Sequence, residues 1–370
     1  MIETGALASL PLSLTRLGVA LESSGDASEY EGVLNPACTR TRDGKLLLYP
    51  RVVAAGNTSR IGLVEASGPV GSPTFKRVGF ALQPEEPYEM RDVPGGFGCE
   101  DPRVTFVPAL DRYIMAYTAF GPLGPRIAFA LSYDGYDWRR LGLADFSAPG
   151  LPCGDDKDAA FFPEPVFSPK GVLSLAFYHR PMLHISAVDG RAAVPIILAK
   201  PPRERESTRI AYVPFDAVLA DEKNLLKVTE SALVLEPASE WGSIKNGAGT
   251  PPIAIEEGWL SFFHGVDAQP HPEQGWCGMR YSAGLVIHDY RRPDIVRYRS
   301  PEPAFVPETA DERRGMVNNV VFPTAIDVPP GSPARCYDVY YGMADSRIGR
   351  IRVELGASEN GVSELQESAA

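Results

Sequence analysis

Two adjacent carboxylates stand at the start of an apolar segment, in the stretch GFGCEDPRVTF from Gly96 to Phe106. Charged side chains are rarely buried in a strand unless they are paired, so Glu100 and Asp101 are candidate catalytic residues. Proline disfavours the helical region for the residue before it, so Pro102 predicts an extended backbone at Asp101. Side chains alternate along a strand, so Glu100 is expected to point to the opposite side. The segment therefore predicts one carboxylate, that of Asp101, at the mouth of a site.

Other charged residues follow further apolar segments, and most of them are cations. They are Arg51, Arg60, Arg103, Lys157, His179, Arg180, Lys245 and His264, with Asp101 and Asp345 as the acidic members. Several cations close together destabilise a fold unless an anion is bound between them. The guanidinium of arginine donates two parallel hydrogen bonds, which suit a phosphate or a carboxylate. If the segments converge, these residues predict a site for a polyhydroxylated or anionic small ligand, with one catalytic carboxylate.

The elements that must position these residues are short β-rich segments bounded by Gly, Pro, Asp and Asn. The chain contains 35 Gly and 35 Pro and shows little helical periodicity. One pattern, a turn followed by an apolar and aromatic strand, recurs about every 60 to 90 residues. Its copies are GKLLLYPRV at Gly44, DRYIMAYTAF at Asp111, GVLSLAFYHRP at Gly171, GWLSFFHGVD at Gly258 and YDVYYGMAD at Tyr337. A second strand often follows, as in SRIGLVEA, GPRIAFALS, YSAGLVIHD and SRIGRIRVEL.

Five such units are typical of a five-bladed β-propeller, whose inner strands would bring the polar strand ends together at a central channel. The units resemble one another weakly, so a pair of β-sandwiches stays open. We predict an all-β, single-domain protein in which residues 31–370 form the propeller and residues 1–30 form an N-terminal extension that packs on it. Helical character is confined to DAVLADEKNLLKV from Asp216, and KPPRERESTR from Lys200 is expected to be an exposed loop.

The composition limits the partners of the protein. Lys and Arg number 36 against 47 Asp and Glu, for a net charge of −11 without a basic block, so nucleic acid is not an expected partner. No apolar run reaches membrane length, and the start MIETGALASLPLSL lacks a basic signal region, so we expect a cytoplasmic protein without a membrane partner. The five cysteines form no CxxC pair, and no His, Cys and carboxylate residues have metal-ligand spacing, so neither disulfides nor a metal are predicted.

Eight motifs occur in the order that they have in glycoside hydrolase family 130, which comprises β-mannoside phosphorylases and related β-mannosidases. They are SRIGLVE, CEDPRVTF, KDAAFFPEPV, FYHRP, GAGTPPI, GWLSFFHGVD, YRSPEPAFVPE and NNVVFPTA. The sequence therefore resembles this family over most of its length. The resemblance implies a five-bladed propeller that converts a β-mannoside oligosaccharide and inorganic phosphate to α-mannose 1-phosphate and a shorter sugar. It also implies inversion, no cofactor other than phosphate as co-substrate, and a homo-oligomer as an open question, since relatives often form one.

The resemblance implies a role for each candidate residue. Asp101, the aspartate of the EDPR motif, would be the general acid and would protonate the glycosidic oxygen through the mannose 3-hydroxyl. The implied phosphate-binding residues are the cations Lys157, Arg180 and His264, with Tyr281 as a further neighbour. The implied sugar-binding residues are Asn35, Arg51, Arg60, Lys245 and Asp345, while Arg103 either steadies the motif or contacts the sugar.

Two alternatives to a phosphorylase stay open. An inverting β-mannosidase would use water and would need a second carboxylate opposite Asp101 as the base. Phosphate replaces that water and base, so retention of Lys157, Arg180 and His264 favours phosphorolysis. The third hypothesis is a propeller that binds glycans without turnover. The linkage, β-1,2 or β-1,4, and the leaving sugar stay open as well, because they depend on acceptor-side loops such as the long segment between Pro181 and Lys245.

Overall fold

The computed structural model describes residues 9–93, 95–148, 150–183, 190–237, 240–270 and 277–357, which are mostly strands. The first nine strands are β1 (Leu12–Leu21), β2 (Gly32–Arg40), β3 (Leu46–Ala54), β4 (Thr58–Ser67), β5 (Thr74–Leu82), β6 (Phe97–Val107), β7 (Arg112–Gly121), β8 (Gly124–Ser132) and β9 (Arg139–Leu143). The next five are β10 (Asp156–Phe161), β11 (Val166–Phe167), β12 (Leu173–Pro181), β13 (Thr208–Pro214) and β14 (Glu230–Leu235). The last eight are β15 (Lys245–Ala248), β16 (Ile253–Ile255), β17 (Gly258–Pro270), β18 (Cys277–His288), β19 (Val296–Arg299), β20 (Val321–Asp327), β21 (Cys336–Met343) and β22 (Arg347–Leu355).

The described residues also contain six 3-10 helices and three short α-helices, α1 (Gly190–Leu198), α2 (Phe215–Ala220) and α3 (Ala310–Arg313). The prediction of an all-β fold is confirmed. Within the part of the chain described, no helix is long and apolar enough to cross a membrane.

The largest sheet consists of two antiparallel groups of four strands. Strands β2 to β5 pair in chain order, and so do β6 to β9. Two parallel residue pairs, Thr58 with Phe97 and Ser59 with Gly98, connect β4 to β6 and make one eight-stranded sheet of both groups.

Three more sheets follow, and the last one joins the two ends of the described chain. Their orders are β10-β12-β13-β14 with β11 on β12, β15-β17-β18-β19 with β16 on β17, and β1-β22-β21-β20. In the last sheet β1 pairs antiparallel with β22, from Leu12 opposite Leu355 to Leu21 opposite Ile348. Residues 12–21 of the predicted N-terminal extension are therefore an edge strand of the sheet that the C-terminal strands form.

The repeated pattern in the sequence corresponds to one position in these groups. Its five copies are the strands β3, β7, β12, β17 and β21, each of which has a hydrogen-bonded neighbour on both sides. A strand in that position is buried along nearly its whole length, as the apolar and aromatic sequences require. We call the earlier strand that pairs with each of these the first strand of its group, namely β2, β6, β10, β15 and β20. The first strands carry more polar residues, so their pattern is harder to recognise.

Two local predictions are wrong. Helix α1 lies outside the stretch at Asp216, where α2 and a 3-10 turn at Glu222–Leu226 confirm the expected helical character. Pro195 lies inside α1, and an interior proline argues against a helix in any interpretation of the sequence alone. The KPPRERESTR stretch is not exposed throughout, because Ser207 and Thr208 are buried where β13 begins.

Apolar clusters fill the space between consecutive strand groups, and one of them joins the last group to the first. One pair of buried residues from each junction illustrates the arrangement: Ile61 with Met115, Phe129 with Phe177, Tyr178 with Trp259, Phe262 with Tyr341, and Tyr340 with Leu48. The first strands β2, β6, β10 and β20 also contact one another, so residues distant in sequence meet there.

Candidate active site

The first strands of three groups are interrupted by bulges at matching places. The pairing register shifts between Leu34 and Ala37 in β2, between Glu100 and Arg103 in β6, and between Lys157 and Ala160 in β10. Each bulge contains one residue with positive φ: Asn35 at 41°, Asp101 at 45° and Asp158 at 63°. Asn and Asp tolerate this left-handed region better than most residues, and a bulge redirects the side chains around it. The three bulges thus determine where these polar side chains point.

The bulge in β6 overturns two predictions for the EDPR motif. Asp101 is not extended, since its φ is positive although Pro102 follows it. Glu100 does not point away from Asp101, because Arg51 donates from Nη2 to Glu100 Oε1 at 3.0 Å and from Nη1 to Asp101 Oδ1 at 3.3 Å. The extra residue of a bulge breaks the alternation of side chains on which the expectation rested.

The carboxylate of Asp101 is held in a polar, nearly closed environment. The residue is 8% exposed, and its Oδ1 also accepts a hydrogen bond from Asn35 Nδ2 at 2.9 Å. Burial alone would raise the pKa of Asp101, but the charges of Arg51, Lys157 and Arg103 outweigh burial and lower this pKa. The carboxyl group is therefore ionised at neutral pH in the ligand-free protein.

Lys157 belongs to the same group of charges. Its Nζ donates to Glu100 Oε2 at 3.1 Å, so Glu100 bridges Lys157 and Arg51. Burial lowers the pKa of Lys157, but Glu100 and Asp101 raise it overall, and the ammonium group stays charged. The side chain is 24% exposed, which leaves the charge accessible to a ligand.

Asp345 is a further carboxylate near Asp101, in addition to Glu100. Burial, followed by repulsion from Asp101, raises the pKa of Asp345 from the usual 3.8 to about 6, although Arg51 and Lys157 oppose the shift. Asn35, Arg51 and Asp345, three of the predicted sugar-binding residues, are thus gathered around the predicted acid.

A second group of charges is centred on Arg180. Its Nε donates to Asp158 Oδ2 at 2.6 Å, and its Nη1 donates to Glu206 Oε2. His264 Nε2 lies 3.8 Å from the same oxygen of Asp158. The chain passes so close at Gly247 that a Cβ there would lie 2.2 Å from Asp158 Oδ2, which explains a glycine at this position of the GAGT motif.

His264 is a neutral member of this group. Burial is the main cause that lowers the pKa of His264 to about 3; the charge of Asp158 opposes this shift, and the charges of Arg180 and Lys245 add to it. The prediction that His264 is a cation is therefore wrong for the ligand-free protein, because the ring is too deeply buried to hold a charge. Its ring lies 6.0 Å from the ring of Tyr281, over which the Lys245 ammonium lies at 5.5 Å. Arg180, His264 and Tyr281, which were predicted to bind phosphate, come together here, and Lys245, which was predicted to bind sugar, joins them. Lys157, the remaining residue predicted for phosphate, lies instead with Glu100 and Asp101.

Arg103 lies beneath both groups and connects them. Its Nη1 donates to the backbone oxygen of Asp101 at 3.0 Å, and its Nε and Nη2 donate to the backbone oxygens of Gly249 and Ala248, each at 3.1 Å. Its Nη2 also lies 3.7 Å from Asp158 Oδ1. Because the side chain is completely buried, Arg103 steadies the motif, and the prediction that it contacts sugar is wrong.

Arg60 is not brought into either group by a hydrogen bond or an ion pair among the described residues. Its Nη1 is buried and without a hydrogen-bond partner, and so are Asn35 Oδ1 and His264 Nδ1. Buried polar atoms normally have partners. Asn35 and His264 thus each have one buried polar atom without a hydrogen-bond partner, one in each group.

Three carboxylates of the site were not among the predicted site residues: Glu100, Asp158 and Glu206. Glu100 was set aside because alternation was expected, and Asp158 lies in the KDAAFFPEPV motif, where its polar character inside an apolar segment was a usable signal. Glu206 lies in the charged stretch before β13, where nothing in the local sequence separates it from its neighbours.

The described residues include no group of three or more His, Cys, Asp or Glu side chains that could hold a metal ion.

Comparisons with known proteins identify the family of this chain. A family model described as β-1,4-mannooligosaccharide phosphorylase matches residues 206–356. A β-1,2-mannobiose phosphorylase from Thermoanaerobacter sp. (strain X514) is 30% identical over 278 residues, which cover 73% of this chain and 72% of the relative. The chain belongs to glycoside hydrolase family 130. A β-1,4-mannooligosaccharide phosphorylase from Ruminococcus albus is 36% identical over 140 residues, or 37% of this chain and 39% of the relative.

Solved structures related to this family member share its fold. The β-1,2-mannobiose phosphorylase from Listeria innocua, in complex with β-1,2-mannobiose, superimposes with a TM-score of 0.66 at 20% identity, over 92% of this chain and 96% of the other. A second structure, described as showing that the GH130 mannoside phosphorylases contain glycoside hydrolases acting on β-1,2 mannosidic linkages in Candida mannan, gives 0.65 at 20% identity over 94% of each chain. The resemblance inferred from the eight motifs is confirmed.

Proposed function

We propose that this protein is an inverting β-mannoside phosphorylase that converts a β-mannosyl oligosaccharide and phosphate to α-mannose 1-phosphate and the shortened sugar. The observation that supports this most is the pairing of two groups through Arg103: a buried carboxylate, Asp101, on one side, and the cations Arg180 and Lys245 on the other. The names of the relatives support the same reaction class.

The proposed reaction divides the work between the two groups. Phosphate held by Arg180 and Lys245 attacks the anomeric carbon, the glycosidic bond breaks, and the leaving oxygen takes a proton that originates at Asp101 and passes through the mannose 3-hydroxyl. Asp101 must first be protonated, and a bound phosphate dianion would help by raising its pKa through repulsion. Asn35, Arg51 and Asp345 would hold the sugar, and Arg103 would fix the backbone under the acid.

The proposal includes a five-bladed propeller. The support is that the strands form five groups when the eight-stranded sheet is divided at its two parallel residue pairs. Each group has four strands in a row, with β11 and β16 as additional strands of two groups, and apolar clusters join each group to the next and the last to the first. Residues 31–370 would form the propeller domain together with β1, residues 12–21 of the predicted extension, because β1 is a strand of the fifth group. Phosphate would be a co-substrate, with no metal or organic cofactor. Cytoplasmic localisation and a homo-oligomer stay predictions.

One observation favours a second candidate, an inverting β-mannosidase. Such an enzyme needs a carboxylate to activate water, and the Glu206 side chain lies beside Arg180 with 14% of its surface exposed. In that case Glu206 would be the base and cleavage would not require phosphate.

Synthesis in reverse tests the proposal. Purified protein receives α-mannose 1-phosphate and one acceptor at a time from glucose, mannose, N-acetylglucosamine and mannobiose, and phosphate release is measured. Release that depends on one acceptor supports the phosphorylase and identifies its leaving group. β-Mannosides are then cleaved with and without phosphate. Cleavage at the same rate in both would support the hydrolase, and no reaction in any assay would support the binding propeller.

A further inference from the structure

Glu206 occupies a position that a bound anion would take. Its Oε2 accepts a hydrogen bond from Arg180 Nη1, and the guanidinium is bound to Asp158 as well through Nε. Arg180 is thus engaged by two carboxylates. A phosphate ion bound by an arginine normally accepts hydrogen bonds from two parallel N–H donors of the guanidinium. Phosphate on Arg180 would therefore compete with Glu206 for Nη1 or with Asp158 for Nε.

The two carboxylates differ in how easily they can leave Arg180. Asp158 is 2% exposed, lies beside the buried His264 and Arg103, and has Gly247 packed against it. The Glu206 side chain is 14% exposed, and its other oxygen accepts from the backbone N–H of Leu183 at 3.3 Å, at the long end of the range for a hydrogen bond. Displacement is therefore open to Glu206 and closed to Asp158.

The backbone of Glu206 is held by contacts that do not involve its carboxylate. Its backbone oxygen accepts from the N–H of Asn246 at 3.1 Å, and the residue forms a parallel bridge with Lys245. The side chain is thus anchored beside the strand that carries Lys245, so a displaced carboxylate stays close and can return when the ligand leaves.

We propose that Glu206 is a resident anion that inorganic phosphate displaces from Arg180, so that Glu206 sets the affinity of the site for phosphate. The inference rests on the proposed function, in which Arg180 binds phosphate. Glu206 lowers that affinity by competition. If it served only to orient Arg180, it would raise the affinity, so the two roles predict effects of opposite sign.

The substitution Glu206→Gln tests the inference, because it keeps the shape and removes the charge. Phosphorolysis is measured with phosphate varied at saturating mannoside, and then with the mannoside varied. We expect KM for phosphate to fall about tenfold, in keeping with the loss of a charge-assisted hydrogen bond, while KM for the mannoside changes much less. Glu204→Gln is the matched control, since Glu204 is an exposed carboxylate of the same stretch, two residues away.

Calorimetric titration of inorganic phosphate into both proteins separates this inference from the proposed function. Tighter binding by Glu206→Gln than by the wild type supports the inference even if neither protein catalyses phosphorolysis. Active phosphorolysis with an unchanged or increased KM for phosphate in Glu206→Gln would overturn the inference and leave the proposed function intact. Loss of phosphate-independent cleavage in this variant would also overturn it, because Glu206 would then be the base of a hydrolase.

Discussion

Glu100 and Asp101 are adjacent in the sequence, yet their carboxylates accept hydrogen bonds from the same guanidinium, that of Arg51. Regular strand geometry places consecutive side chains on opposite faces, so this arrangement exists only because β6 bulges at Asp101. The two carboxylates differ in their remaining partners. Glu100 is also bound to Lys157, whereas Asp101 also accepts a hydrogen bond from the amide of Asn35.

This pair allows a matched test of the general acid. Asp101→Asn should reduce turnover by about 10² to 10⁴-fold, the usual contribution of general acid catalysis, while binding of the mannoside is retained. Glu100→Gln removes one charge at the neighbouring position and contacts the same arginine, so it should cost much less. Turnover is measured by phosphate release from α-mannose 1-phosphate with the preferred acceptor. Equal losses in the two variants would mean that the charge around Arg51 matters, and not a proton at Asp101.

The sequence predicts which residue types form this site, but it does not predict the directions in which their side chains point. The motifs identify the residues of the site, because the residue types required by an anionic, hydroxylated ligand are rare at strand ends. They do not assign every residue to its group, since Lys157 was expected with Arg180 and lies beside Asp101, and Lys245 was expected with the sugar residues and lies beside His264. The direction of Asp101 and Glu100 could not be inferred, since Pro102 and the alternation rule both describe a regular strand and the chain bulges there.

Burial is the second quantity that the sequence does not supply. Arg103 is part of the same motif as Asp101, but its three hydrogen bonds to backbone oxygens place it below the site, and those partners come from β6 and from the stretch at Ala248 and Gly249. Glu206 was hidden for a related reason, since its partner Arg180 lies 26 residues away in the chain. The contacts of Arg103 depend on how strands of different groups pack, and the contact of Glu206 depends on where the chain enters β13 beside β12. No local pattern contains either of these.

The buried His264 should not titrate in the physiological range. Burial lowers its pKa to about 3, so the ring is neutral between pH 5 and pH 8 and its NMR signals should not shift over that range. The signals are assigned by comparison with His264→Gln, since the chain has five histidines. A midpoint near the usual 6.5 would contradict the lowered pKa of His264 and would show that the ring carries a charge at acidic pH.

Asp345 should make the stability of the protein depend on pH. Its pKa of about 6 in the folded protein exceeds the usual 3.8, so the folded state holds the proton more tightly than the unfolded state. Stability from this group is complete at low pH and is lost as the pH rises through 6. Asp345→Asn cannot ionise, so its free energy of unfolding relative to wild type should rise by about 1 kcal/mol between pH 5 and pH 8. Urea unfolding at both pH values measures this change, and a constant difference would contradict the raised pKa.

Arg103 should be among the most important residues for stability that touch the site. Arg103→Met removes a buried cation and leaves Asp158 and three backbone oxygens without this donor, so the free energy of unfolding should fall by about 3 to 5 kcal/mol. Arg139→Met is the control, because Arg139 forms an exposed pair with Glu222 and its loss should cost at most about 0.5 kcal/mol. Urea unfolding followed by tryptophan fluorescence compares the two variants with wild type. If Arg103→Met were as stable as Arg139→Met, the hydrogen bonds that join Asp101 to the second group of charges would not hold the two groups together, and the single site proposed from them would have to be divided.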